Sequence, residues 1–148
     1  METQELAHIE AIKQLKARYF RLMDQKRWDE WVEVFTPDVH IDTSDDGGPD
    51  FVLDGRDVFR AKLQPMIATA VTTHHGHMPE ITLTGPTTAT GVWAMFDHVL
   101  WPDGGFGELI GSGWYEEEYR YTDGVGWQIS TMVLRRNRVV LGGKQIIP

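Results

Sequence analysis

The sequence predicts an α+β fold, a cone-shaped barrel in which N-terminal helices pack into the concave side of a curved, mostly antiparallel sheet. Three observations carry that expectation. Apolar residues recur at helical spacing near the N-terminus, and from residue 72 onward β-branched and aromatic runs alternate with turn-forming clusters. No linker, repeat or low-complexity segment divides the 148 residues, so residues 1–148 read as a single domain.

Leu6, Ile9, Ile12, Leu15, Tyr19 and Leu22 recur every three or four positions, which makes one face of an amphipathic helix over roughly residues 3–23. After a break at Asp24-Gln25-Lys26-Arg27, helical spacing resumes with Trp28, Trp31, Val32 and Phe35, and Thr36-Pro37-Asp38 should stop this second helix. Residues 39–55 read as strand, polar loop and strand, and residues 55–71 as a third helix interrupted at Pro65. Four strands follow, separated by "TGPT", "PDGGFG" and "TDGVG". In the second of these, Val92, Ala94, Phe96, His98 and Leu100 share one face, and Trp93, Met95, Asp97, Val99 and Trp101 share the other. Both faces are largely apolar, which suggests a central strand covered on both sides. The ending "LGGKQIIP" fits a loose tail or an added edge strand for a partner subunit equally well.

Composition narrows the function. Fourteen Lys and Arg against 22 Asp and Glu give a net charge of −8, which disfavours nucleic acid and anionic membranes as partners. The one basic cluster, Arg135, Arg136 and Arg138, is too small to reverse that. No apolar run approaches a membrane span, and the charged N-terminus lacks the apolar stretch of a secretory signal, so a cytoplasmic location is the default. Cysteine is absent, which removes disulfides, thiolate catalysis and cysteine-ligated metal.

Chemistry concentrates in "TTHHGHMPEI", residues 72–81, where three of the six histidines fall within four positions. His75 and His77 lie two apart, on one side of a strand, and with Glu80 could hold Zn²⁺, Fe²⁺ or Mn²⁺. Any alternating strand shows that parity, and only His98 remains to complete a site, so no metal is expected and a metal-binding protein stays a weaker alternative. "GGFG" at 104–107 lacks the Lys-Ser/Thr of a phosphate cradle, no Gly-x-Ser-x-Gly occurs, and no cofactor is expected. Proton transfer remains. His74 can act as a base near neutral pH, and Asp24 is a carboxylate that could fix its tautomer. Asp24 could equally be a helix N-cap, although Arg27 three positions later gives no capping box.

The stretches "LKARYFRLMDQKRWDEWVEVFTPDVHID", "GRD", "THHGHMPEI", "ATGVWAMF" and "YEEEYRYTDGVGWQIS", in this order, resemble the SnoaL-like branch of the nuclear transport factor 2-like superfamily. That branch includes scytalone dehydratase, bile acid dehydratase, a hexachlorocyclohexane dehydrochlorinase and polyketide cyclases. The resemblance implies a cofactor-independent dehydratase, isomerase or cyclase acting on a hydrophobic, cyclic small molecule, in a homodimer or homotrimer. It also implies an Asp–His dyad, carried by position onto Asp24 and His74, and a tyrosine five positions before the Asp, matched by Tyr19. A late arginine in some members is matched by Arg135 or Arg136. Trp93, His98, Trp114 and Arg135 are the further candidates for contact with a substrate. Many members of the superfamily only bind, so a non-catalytic ligand-binding or subunit-association module is the alternative.

Two geometric conditions attach to the dyad. Five residues along a helix turn through about 140°, so Tyr19 and Asp24 cannot share a face of one regular helix. In a regular strand His74 shares a face with Gly76 and Met78, and His75 and His77 go with Ile81 and Leu83. A bulge near Pro79 would reverse that phase.

Overall fold

The structure, a computed structural model, describes residues 2–148. Helix α1 spans Thr3–Asp24. A single turn α2, Trp28–Trp31, passes through a 3₁₀ turn at Val32–Val34 into strand β1, Phe35–Asp42. A short helix α3 at Ser44–Gly47 and a 3₁₀ turn at Pro49–Phe51 lead to β2, Val52–Asp54, and then α4, Arg56–Ile67. Four long strands complete the fold, β3 Val71–Leu83, β4 Thr88–Leu100, β5 Glu108–Thr122 and β6 Gly126–Leu141, with a short β7 at Lys144–Ile147. Among the described residues no helix is long and apolar enough to cross a membrane.

The strands form one curved, unclosed sheet in the order β2-β1-β6-β5-β4-β3, with β7 folded back on β6. Its neighbours run antiparallel except β1 and β6, which are parallel. α1 lies in the concavity and buries Ile12, Leu15, Lys16, Tyr19, Phe20, Leu22 and Met23. Leu6, expected on that face, is exposed, and the seam is shifted to admit Lys16 and Phe20. Gly76 of β3 makes the close approach possible, because a Cβ there would lie 2.4 Å from the Phe20 ring.

Several expectations are corrected. The second helix is one turn only. Trp28, Trp31, Val32, Val34 and Phe35 are all buried, and from Val34 on the burial no longer follows one helix face, because the chain extends into the sheet as β1. Pro37 then sits inside β1, where the pairing with β6 is irregular between Phe35 and His40 and no ladder donor is needed. α4 runs through Pro65, which lies on its exposed side two residues before the helix ends, so its ring meets solvent and its missing amide removes one bond there. The C-terminal segment is not a loose tail: it adds β7, which pairs with β6 of its own chain. β4 is central, but its outer face is uncovered, with Val92, Phe96 and Leu100 exposed.

On β3 the pairing with β4 shifts between His77 and Glu80, so Met78 and Pro79 together oppose Trp93. Met78 adopts a φ of 50° and points outward, 86% exposed. This bulge reverses the alternation, so Thr72, His74 and Gly76 turn inward on the same side as Ile81 and Leu83.

Candidate active site

Asp24 is the last residue of α1, and its carboxylate is fully engaged. Oδ1 accepts hydrogen bonds from Nδ1 of His74 at 2.7 Å and from the Thr72 hydroxyl at 2.9 Å. Oδ2 accepts the backbone amide of His74 at 2.9 Å. Asp24 is therefore not an N-cap; α2 starts without a side-chain cap. Burial alone would raise the Asp24 pKa, but the hydrogen bonds from His74 and Thr72 outweigh it and hold the carboxyl below its ordinary value. An ionised carboxylate only accepts, so the proton shared with His74 rides on Nδ1, and in the neutral tautomer this selects the lone pair is on Nε2. Phe20 stacks on the imidazole at 6.2 Å between centroids and 17° between planes, which fixes the ring further.

His74 lines a cavity of about 200 Å³ in the concavity of the sheet. Its polar end is made by Tyr19, His74, Asp97, Tyr115 and Arg136. The remaining wall is mostly apolar: Phe59, Leu63 and Ile67 come from α4, Val99, Leu109 and Leu134 from the sheet. Thr43, Asp46, Gly47 and Phe51 cover one side. Such a space suits a largely apolar molecule with one polar, reactive end. Tyr19 and Asp24 do diverge as helix geometry requires: Tyr19 faces the cavity, and Asp24 holds His74 from outside it.

Next to His74 stands a buried ion pair. Arg136 binds Asp97 through both guanidinium nitrogens, NH1 to Oδ1 at 2.7 Å and NH2 to Oδ2 at 2.9 Å. Its Nε donates to Asp46 Oδ1 at 2.8 Å, and its backbone amide to Asp45 Oδ2 at 2.8 Å. One arginine thus ties the polar end of the cavity to α3 at its rim. The two carboxylates outweigh the cost of burial and raise the arginine's pKa above its ordinary value, so its charge is permanent. Asp97 Oδ2 lies 3.8 Å from Nε2 of His74, too far for a hydrogen bond. Gly111 stands between the partners' strands, and a Cβ there would lie 2.6 Å from Arg136 NH1 and 2.8 Å from Asp97 Oδ1.

Beneath the cavity Lys16 is wholly buried, with Nζ 2.7 Å from Glu117 Oε2 and 3.8 Å and 3.5 Å from the ring centroids of Tyr19 and Tyr115. Burial lowers the Lys16 pKa to about 8, although Glu117 pulls it upward. Burial is also the main cause that raises the pKa of both tyrosines, so each phenol stays a neutral donor.

The structure therefore brings together Asp24, His74 and Tyr19, adds Arg136 to the cavity wall, and leaves Trp93, His98, Trp114 and Arg135 outside it. Trp93 faces inward but is packed in the core, its indole donating to the Tyr119 hydroxyl at 2.9 Å. His98 is on the outer face, neither core nor cavity, 2.7 Å from Glu108. Trp114, also outward, donates to Glu116 at 2.9 Å. Arg135 projects outward near Asp42, and its neighbour Arg136 takes the inward place. His75 and His77 are exposed on the outer face with Glu80, and among the described residues no three His, Cys, Asp or Glu gather as a metal site. Sequence reasoning passed over Thr72, Tyr115 and the clamp role of Arg136. Asp97 was placed on the correct face, and an acid alternating with Trp93, Met95 and Val99 was the one signal available.

A family model described as "SnoaL-like domain" matches residues 4–133. Among solved structures, a scytalone dehydratase-like protein from Novosphingobium aromaticivorans superposes with a TM-score of 0.83 at 21% identity, covering 94% of this chain and 90% of that one. A hexachlorocyclohexane dehydrochlorinase of LinA type 3 from Novosphingobium barchaimii has a TM-score of 0.76 at 17% identity, with 97% of each chain covered. An aromatic ring hydroxylase-like protein from Novosphingobium aromaticivorans has a TM-score of 0.77 at 22% identity, covering 88% of this chain and 90% of that one. These likenesses show a shared fold, an α+β cone. By the match over residues 4–133, the chain belongs to the SnoaL-like domain family.

Proposed function

We propose that this protein is a cofactor-independent acid/base enzyme of the lyase or isomerase type, acting on a hydrophobic, cyclic small molecule. The supporting observation is the imidazole of His74, held on Nδ1 by Asp24 at 2.7 Å and lining a cavity whose wall is mostly apolar. The dehydratase-like and dehydrochlorinase neighbours agree with elimination chemistry.

In a dehydration, Nε2 of His74 removes a proton from the carbon beside a carbonyl. The C–H electrons become the new C=C bond as the C–O bond on the next carbon breaks. Tyr19 donates to the oxygen that gathers charge, the carbonyl or the departing hydroxyl. The proton taken by His74 finally leaves with that hydroxyl as water, and the enzyme returns to its starting state. Asp24 stabilises the imidazolium meanwhile. The ion pair of Arg136 and Asp97 borders the reacting end.

A base positioned this way is worth roughly 10²–10⁴ in rate. A panel of cyclic β-hydroxy ketones, followed by enone absorbance, tests the reading. His74→Ala should lose about that factor on any compound turned over. Unchanged turnover in His74→Ala would remove the assignment, and a panel that binds without turnover would favour a ligand-binding module.

The same reading includes a homodimer or homotrimer, with the outer face of the sheet as its contact. Phe96, Ile110 and Trp114 are exposed there. Sedimentation of the wild type against Phe96→Glu, which should be monomeric, checks it.

A further inference from the structure

Lys26 stands in a conformation that lysine disfavours. Its φ is 59°, at the position just past the end of α1 that glycine ordinarily takes. The helix closes there with the amide of Lys26 bonded to the Met23 carbonyl and that of Arg27 to the Leu22 carbonyl. A glycine would make the same turn without steric strain. The lysine side chain folds back from this turn and donates from Nζ to the Thr72 hydroxyl at 2.7 Å. Thr72 is buried, and its single hydroxyl proton goes to Asp24 Oδ1 at 2.9 Å. A chain of donors results, ammonium to hydroxyl to carboxylate, and the imidazole donates to the same carboxylate oxygen from the other side.

We propose that Lys26, acting through Thr72, is a positioning residue of the dyad that keeps the Asp24 carboxylate the fixed acceptor of the His74 Nδ1 proton. This rests on the reading of Asp24 and His74 as a functional dyad, since a helix stop alone requires no cation at this turn. A polarised hydroxyl is a stronger donor, and a carboxylate that receives it is less ready to draw the proton off Nδ1. Burial lowers the Lys26 pKa while Asp24 raises it again, as expected of a cation held toward a carboxylate. The groups facing Asp24 are His74, Thr72 and, through Thr72, Lys26. Asp97 and Arg136 adjoin the opposite nitrogen of the ring, and Arg27, Asp29, Glu30 and Arg60 surround Lys26 at the surface.

The test uses the full chain and needs no substrate. Carbon NMR follows the titration of the Asp24 carboxyl, and proton NMR follows the His74 Nδ1–H resonance, in wild type, Lys26→Gly, Lys26→Asn, Thr72→Val and Thr72→Ser. Glycine and asparagine both accept left-handed backbone, so these variants should melt no lower than wild type. The proposal expects the Asp24 midpoint to rise toward the ordinary carboxylate range, and the Nδ1–H resonance to shift, in Lys26→Gly, Lys26→Asn and Thr72→Val. Thr72→Ser should match wild type on both readouts. Lysine variants with wild-type Asp24 and His74 signals would overturn the proposal and leave Lys26 as a helix stop. Loss of the catalytic reading through a fully active His74→Ala is a separate result, because neither NMR signal depends on turnover.

Discussion

Asp24 grips His74 twice, through the ring Nδ1 at 2.7 Å and through the backbone amide at 2.9 Å. The first bond sets the tautomer; the second ties the end of α1 to β3. A helix terminus and a strand are thereby locked around one imidazole.

Asp24→Asn should keep the shape and lose the chemistry. An amide can donate to Nδ1, which pushes the proton to Nε2 and removes the base from the cavity. Turnover should fall by roughly 10²–10⁴ with little change in far-ultraviolet circular dichroism.

The same bonds set an acid limit on stability. The folded carboxyl of Asp24 titrates below its ordinary value, so its stabilising contribution is complete above the unfolded value of about 4. It is lost as pH falls through the lower, folded value. Melting temperature against pH should therefore decline less steeply on the acid side in Asp24→Asn than in wild type.

Gly111 is required by the ion pair beside it. Gly111→Ala places a methyl between Arg136 and Asp97, so one of them must swing away. A stability loss of about 1–3 kcal/mol is expected in chemical denaturation. Gly91→Ala, which crowds the Tyr119 hydroxyl instead, should leave the Arg136–Asp97 geometry intact in a crystal structure.

Lys16 and Glu117 should behave as a unit. Lys16→Met strands a buried carboxylate and should cost about 3–5 kcal/mol. Adding Glu117→Gln should recover much of that loss, because the paired neutral side chains leave no buried charge. Additive losses in the double mutant would show that the two do not interact.

Much of this was legible in sequence. The apolar spacing of α1 and the long strands from residue 71 were visible because helix and strand periods differ so clearly. The dyad was legible only through resemblance. Regular alternation puts His74 opposite Ile81, and a bulge at Met78 and Pro79 corrects the phase without any strong local signal beyond Pro79 itself. Arg136 was hidden for a similar reason: β6 is irregular at Asn137, and adjacent arginines cannot be ranked until the register is known. Nothing in the sequence singles out Lys16, because only Glu117, 101 positions away, makes it a core residue. His98 and Trp114 misled because an exposed apolar sheet face has the same composition as a buried one.

The measurement nearest the central claim is exchange of the α-hydrogens of cyclic ketones in D₂O, catalysed by wild type and by His74→Ala. It reads proton removal directly and needs no leaving group. The expected result is accelerated exchange by wild type and a loss of about 10²–10⁴ in the variant. Equal exchange by the two proteins would contradict the assignment of His74 as the base.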